Sequence, residues 1–384
     1  MFSVLMKPKP WIVASLLVAA SAFAAGKAND KNCKSCPKAS KECPKPCPQP
    51  NPPTQICPKN PDPCCPAWPV PVLNAAYNYP AAIKTRCPWD MCFDVSFIYW
   101  QPIQENMELG VDGGSVPDAV SVGNVIQADT DFKPGFHVGL GGKFDYDNWC
   151  LHADYTWFHS THSQDYASTV GNGISTIQAA PIEGADSAGF SDVSQKWRLN
   201  MDIAELTLGR PHYVGTKFVV NPTFGLRGAW IRQYLNNAYV GSADGDYNRN
   251  QQIKSWALGP QIGLDGCWDI CGGFRFFGNA EADILYTRYT TLSSQFVGGD
   301  TDYTVVEDDY GALRTHLDLE LGLGWGTYLN CNSWYLDFSA GYGFQVFFDQ
   351  NMFRNFTEAA TLTSLSPNGN LYIQGMRLKF SLDF

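Results

Sequence analysis

From Met91 to the C-terminus, apolar and polar positions alternate with a period of two, the signature of strands with one apolar face. Phe93, Val95, Phe97 and Tyr99 share a face, as do Phe136, Val138, Leu140 and Phe144. Trp149, Leu151, Ala153, Tyr155 and Trp157 alternate with Cys150, His152, Asp154 and Thr156. The run Phe218, Val220, Pro222, Phe224, Leu226, Gly228, Trp230 follows, then Trp256, Leu258, Ile262, Leu264 and Phe274, Phe276, Ala280, Ala282, Ile284, Tyr286. Leu313, Leu317, Leu319, Leu321, Leu323 and Trp325 oppose Arg314, His316, Asp318 and Glu320. Trp334 to Phe344 and Tyr372 to Phe384 complete the series. The stretch 196–208 also reads as strand, with an apolar phase that slips between Ile203 and Leu206; a β-bulge is the expected cause. The pattern predicts ten strands.

These runs are about 10 to 15 residues long, against about 5–6 in soluble sheets. One face is apolar and aromatic, and the other mixes glycine with charge. Trp149 and Trp157, or Trp256 and Trp268, mark the two ends of such a strand, as interfacial girdles do. The connections alternate: long ones near 102–133, 160–195, 232–252, 289–310 and 348–370, short ones near 145–148, 209–216, 267–271 and 327–333. Long strands of this kind, even in number and joined by alternating long and short loops, predict an all-β, transmembrane antiparallel up-and-down β-barrel of about ten strands. Parts of 115–130 or 300–307 extend the sheet to twelve in an alternative count.

The N-terminal part is different material. Lys7 and Lys9, an apolar stretch from Trp11 to Ala20, and Ala22-Phe23-Ala24 form the three regions of a secretory signal peptide, residues 1–24. Residues 25–86 are dense in proline and cysteine and lack apolar periodicity. Such a segment cannot bury a core, so it is expected as an irregular periplasmic arm before a barrel domain at 87–384. The chain carries thirteen cysteines: Cys33, Cys36, Cys43, Cys47, Cys57, Cys64, Cys65, Cys87, Cys92, Cys150, Cys267, Cys271 and Cys331. In the predicted topology all of them fall on the side of the short turns, and none in a long loop. An exported chain with this content is expected to form disulfides, within itself or to neighbouring envelope proteins; an odd count leaves at least one thiol over. Cys33-x-x-Cys36 with Cys43-x-x-x-Cys47 has the look of a zinc site, but the spacing departs from the usual fingers and no histidine lies near.

Composition narrows the function. A net charge of −10 argues against nucleic acid, whose phosphates need a basic surface. By parity, the inward faces place Lys143, Asp154, Arg227, Arg275, Glu281, Asp283, Arg314, Asp318, Glu320, Arg377 and Lys379 in the lumen. Charged rings there select ions, or pair with one another and fill a small barrel. Inward glycines (Gly139, Gly141, Gly225, Gly322, Gly324, Gly341, Gly343) leave space or ease curvature. His159, His162 and Asp165 near a loop are the nearest approach to a catalytic set. They lack a nucleophile or carboxylate cluster, so no enzyme, cofactor or resident metal is expected.

From about Cys92 to Phe384 the chain resembles the Legionella major outer membrane protein family. The stretches that carry the likeness are FDVSFIYWQP, FKPGFHVGLG, DNWCLHADYTWFHS, KWRLNMDIAELTLGR, PTFGLRGAWIRQY, LGPQIGLD, FFGNAEADILYTR and LDLELGLGW, in that order. The resemblance implies a pore-forming barrel in the outer membrane of a Gram-negative bacterium, in contact with lipid, passing small hydrophilic solutes or ions, and open to homo-oligomer formation. The Cys/Pro arm departs from that family's pattern and gives weight to the alternative, a disulfide-linked envelope scaffold with a closed barrel and displayed loops.

Overall fold

The computed structural model describes Thr85 and residues 91–384, apart from 113–122, 128, 145–148, 169–173, 176–189, 215–216, 243–244, 299–302, 331–332, 359–362 and 366–368. Residues 1–24, expected as a signal peptide, nearly all of the Cys/Pro arm, Cys87 and Cys331 lie outside the described residues.

Ten antiparallel strands close on themselves: β1 (Met91–Gln104), β2 (Lys133–Lys143), β3 (Cys150–Ala167), β4 (Asp192–Gly209), β5 (Phe218–Ser242), β6 (Gly245–Cys271), β7 (Phe274–Gly298), β8 (Tyr310–Leu329), β9 (Trp334–Asn351) and β10 (Gly369–Asp383). Each pairs with its sequence neighbours, and β10 pairs with β1 from Cys92↔Asp383 to Gln104↔Leu371. The described parts of the two stretches that would have raised the count are not spanning strands. Asn124–Gln127 joins a separate three-stranded sheet with Glu108–Asp112 and Ile174–Ser175, and Tyr303–Glu307 lies against the outer part of β7. The β6–β7 hairpin turns on Gly272 and Gly273, with φ of 65° and 83°, the paired positive angles that match the twist of a tight hairpin.

Two expectations are corrected. First, 232–252 is not a loop: β5 runs to Ser242 and β6 starts at Gly245, with a continuous ladder between them below Tyr239↔Tyr247. β7 likewise runs to Gly298 and β3 to Ala167. Second, β4 carries no bulge, since its register with both neighbours is unbroken from Asp192 to Gly209. Both corrections have one cause. The polarity of the two faces inverts partway up the wall.

In the half nearer the short turns, apolar side chains face outward: Leu206, Phe224, Leu226, Leu258, Ile262, Leu319, Leu321 and Phe338 are all exposed. This is the arrangement lipid requires. Nearer the long loops the inner face gains large buried apolar side chains, set among buried polar ones such as Gln195, Gln233, Asn237 and Gln251. On β4, Trp197, Leu199, Met201 and Ile203 are buried inside while Lys196 and Arg198 are exposed outside. Ile203 and Leu206 therefore point opposite ways, and the slip in phase is a change of environment, not of register.

Trp157, Asp202, Trp230, Trp256 and Arg288 form one cross-strand row at the changeover. Trp268, Phe274 and Trp325 mark the other edge, near the short turns. Twelve positions separate Trp256 from Trp268; at about 3.4 Å each and a tilt of about 40°, they give roughly 30 Å of height, comparable to a bilayer core.

Candidate functional site

The lumen is the natural place for a site in a barrel of this size, and among the described residues two layers fill it. The upper layer is an apolar core. Ile98 and Trp100 from β1, Phe158 from β3, Trp197 to Ile203 from β4, Ile231 and Leu235 from β5, and Tyr289 and Leu292 from β7 belong to one contiguous buried cluster. Eight of the ten strands contribute to it, and Met107, Met352 and Phe353 enter from the connections. Trp100 packs on Phe158 at 5.7 Å between ring centres, and Trp197 donates its indole N–H to Gln233 Oε1 at 3.2 Å. Above it the small three-stranded sheet adds a second cluster around Leu109, Ile126, Ile174, Phe190 and Tyr247.

The lower layer, level with the lipid-facing belt, is polar. Arg227 lies 2% exposed at its centre. Its Nε donates to Glu205 Oε1 at 2.7 Å, one terminal nitrogen to Glu281 Oε2 at 2.5 Å and the other to Asp283. His316 Nδ1 sits 2.6 Å from Asp283 Oδ2. Gln261 donates to Glu281 and Gln345 to Asp318, both at 2.7 Å. Arg377 lies 3.4 Å from Glu320. Arg227 thus serves three carboxylates and Arg377 one, with Asp318 held by Gln345 beside them, and a buried charge cluster of this kind is stable only while its pairs are intact. A cavity of about 50 Å3 runs between these groups, room for a few waters and too small for a dissolved sugar.

The remaining inward residues anticipated from parity are spread around the wall. Arg275 forms a two-point pair with Asp337, and Lys379 reaches Asp94 at 3.3 Å. Asp154 lies 3.3 Å from His137. Arg314 belongs to the upper layer, beside Tyr289 and 3.4 Å from Asp349. Lys143 is exposed at the short-turn end. Glu205, His316, Asp94, His137 and Asp337 complete these pairs and were not among the anticipated residues. Their signal was available, since each sits at a position whose neighbours on both sides along the strand face outward. His159 does find a carboxylate, Asp202 at 3.4 Å, but on the outer wall beside Arg232.

Cys92, Cys150 and Cys267 all lie at the short-turn ends of their strands, and Cys271 is the last residue of β6. Cys92 Sγ is 3.7 Å from His152 Nε2.

Among solved structures the chain is similar to the outer membrane protease OmpT of Escherichia coli, at 10% identity and a TM-score of 0.41, over 79% of this chain and 99% of that one. It is also similar to a Pseudomonas aeruginosa FadL homologue (7%, TM-score 0.26, 77% and 89%) and to the toluene transporter TbuX of Ralstonia pickettii (8%, TM-score 0.28, 76% and 89%). No curated protein matches the sequence. The model of one family, described as the Legionella pneumophila major outer membrane protein precursor, matches residues 84–384. With a closed ten-strand barrel girdled by outward apolar side chains and this match over most of its length, the chain belongs to the Legionella major outer membrane protein family and is an outer-membrane β-barrel.

Proposed function

We propose that this protein is a wall-forming barrel of the outer membrane, with a lumen sealed at the loop end, whose cysteines at the short-turn end link it to itself or to neighbouring envelope proteins. The observation that carries the sealed lumen is the apolar cluster contributed by eight strands. Among the described residues these side chains are only 0–9% exposed, and holding an aqueous path open through them would mean wetting tryptophan and leucine surface. The clustering of Cys92, Cys150, Cys267 and Cys271 at one end supports the linking role. In an outer-membrane barrel the short turns face the periplasm, where disulfides form, and β1 begins at that end, after the Cys/Pro arm in the sequence. Swelling of vesicles containing the refolded protein in isotonic small sugars tests the seal. Rates equal to those of empty vesicles are expected, and sugar-dependent swelling would overturn it.

A second reading, passage of small solutes or ions, is favoured by the polar lower lumen. Charges of both signs line it at the level of the lipid belt, around a water-sized cavity. Conduction on this reading requires the upper layer to move aside, and Met107, Met352 and Phe353 are the parts of it that come from connections and are not held in the strand ladder.

A further inference from the structure

Asp94, His137 and Asp154 stand on three neighbouring strands, β1, β2 and β3, and face the lumen below the charge cluster. The register shows how they meet. Asp94 pairs with Gly139 across β1–β2, and Gly139 pairs with Asp154 across β2–β3, so the three positions form one row. Glycine in the middle leaves room for the close approach: a Cβ there would overlap carboxylate oxygens of both aspartates unless they shifted. His137, two residues along β2 on the same face, leans over the row.

Its Nε2 is 3.5 Å from Asp94 Oδ2 and 3.3 Å from Asp154 Oδ1, and the three donor atoms lie within 4.8 Å of one another. Asp94 is 1% exposed and His137 6%. Asp94 Oδ2 and His137 Nε2 are fully buried and stand at ion-pair distance of one another without hydrogen-bond geometry, and buried polar atoms left so call for an explanation. The spacing supplies one. Two donors bound to a tetrahedral zinc at about 2.0–2.2 Å are about 3.3–3.6 Å apart.

The surroundings fit a ligand set as well. His137 Nδ1 is 2.9 Å from Thr156 Oγ1, the outer contact that fixes the ring of a metal-binding histidine. Lys379 holds the other oxygen of Asp94 at 3.3 Å. His137 also lines the cavity beside Arg227, which offers space for water as a fourth ligand. One imidazole and two carboxylates suit a borderline divalent cation better than calcium or magnesium, which prefer oxygen alone.

We propose that Asp94, His137 and Asp154 bind one divalent transition-metal cation, with zinc the best fit, tying β1, β2 and β3 together inside the barrel. The site does not depend on whether the lumen conducts.

The test is titration of the refolded full chain in detergent, after chelator treatment, with Co2+ as the optical probe and Zn2+ as the competitor. Because the chain is rich in cysteine, the spectrum decides which site is filled. One equivalent of Co2+ is expected, with d–d bands, no thiolate charge-transfer band, and displacement by Zn2+. His137→Gln and Asp154→Asn should each abolish that signal, and Thr156→Val should weaken it by about 10–100-fold. His159→Gln, at the outer His–Asp pair, should leave it unchanged. Absence of the N/O-type signal from the folded protein, a thiolate band alone, or full binding by His137→Gln would each overturn the proposal. Folding of every variant is checked by circular dichroism. Should His137→Gln not fold, Asp154→Asn at the more accessible ligand decides.

Discussion

Arg227→Met is the sharpest probe of how the lumen is held together. The guanidinium is buried and serves Glu205, Glu281 and Asp283 at once. Methionine keeps much of the apolar stem and removes the charge and all five N–H donors. Three carboxylates then face one another in a space with room for a few waters. Breaking a buried pair from one side costs about 3–5 kcal/mol, and with three partners stranded the loss should lie at the upper end, about 5 kcal/mol. Replacing an ion cluster by neutral groups is far milder, so adding Glu281→Gln and Asp283→Asn to Arg227→Met should recover more than half of the loss. Guanidinium unfolding in lipid vesicles, followed by tryptophan fluorescence and by the gel mobility of the folded barrel, gives the free energies. A loss below about 1 kcal/mol for the single variant, far under the range for a broken buried pair, would refute the reasoning. A triple variant weaker than the single one would do the same.

Other outcomes follow from the two-zone wall. Leu226→Arg, in the middle of the lipid-facing belt, should cost about 2–4 kcal/mol, whereas Val240→Arg, outward on the same strand but above the belt, should stay within about 0.5 kcal/mol; the same vesicle unfolding assay compares them. Trp197→Ala in the apolar layer should cost about 3–5 kcal/mol, and conductance should appear when it is combined with Trp100→Ala and Phe158→Ala. Gly139→Ala should lower stability and abolish cobalt binding together, because its Cβ occupies the space of the Asp94 and Asp154 carboxylates. At the exposed loop end, Arg288 donates to both oxygens of Asp309, at 2.5 and 2.6 Å, and holds that carboxyl below its ordinary range. The depressed value means the pair is intact above the ordinary carboxylate range and is lost only as pH falls through the lowered one. Titration of Asp309 by NMR should show this, with Arg288→Gln returning it to the ordinary range.

The strand count was legible because lipid imposes one rule on every strand: outward positions must be apolar. Phe224 and Leu226 obey it without reference to any neighbour. The strand ends were not legible, because the rule stops applying where the wall leaves the bilayer. At Trp230 and Ile231 the apolar parity changes side, and the sequence beyond, with Arg232, Tyr234 and Asn236 outside and Leu235 and Tyr239 inside, reads as a loop when only the outer face is followed. In β4 the same reversal between Ile203 and Leu206 imitated a bulge. Parity also placed Arg227, Glu281 and Asp283 in the lumen, but it assigns a face and not a partner. The groups around Arg227 come from 22, 54, 56 and 89 residues away: Glu205 is its ladder partner on β4, and the others reach in from β7 and β8 once those strands are paired in register. The Asp94–His137–Asp154 group was hidden for the same reason, since it depends on a glycine in register between two aspartates.

The central claim is a barrel closed by its own core. Its most direct test is the current through a planar bilayer containing the refolded protein, shown folded beforehand by circular dichroism, with and without reductant. The account predicts no stable unitary openings in either condition for the wild-type chain, and steps of current once Trp100, Phe158 and Trp197 are all alanine. Steady openings by the unmodified protein would contradict it and establish the lumen as a conducting pore.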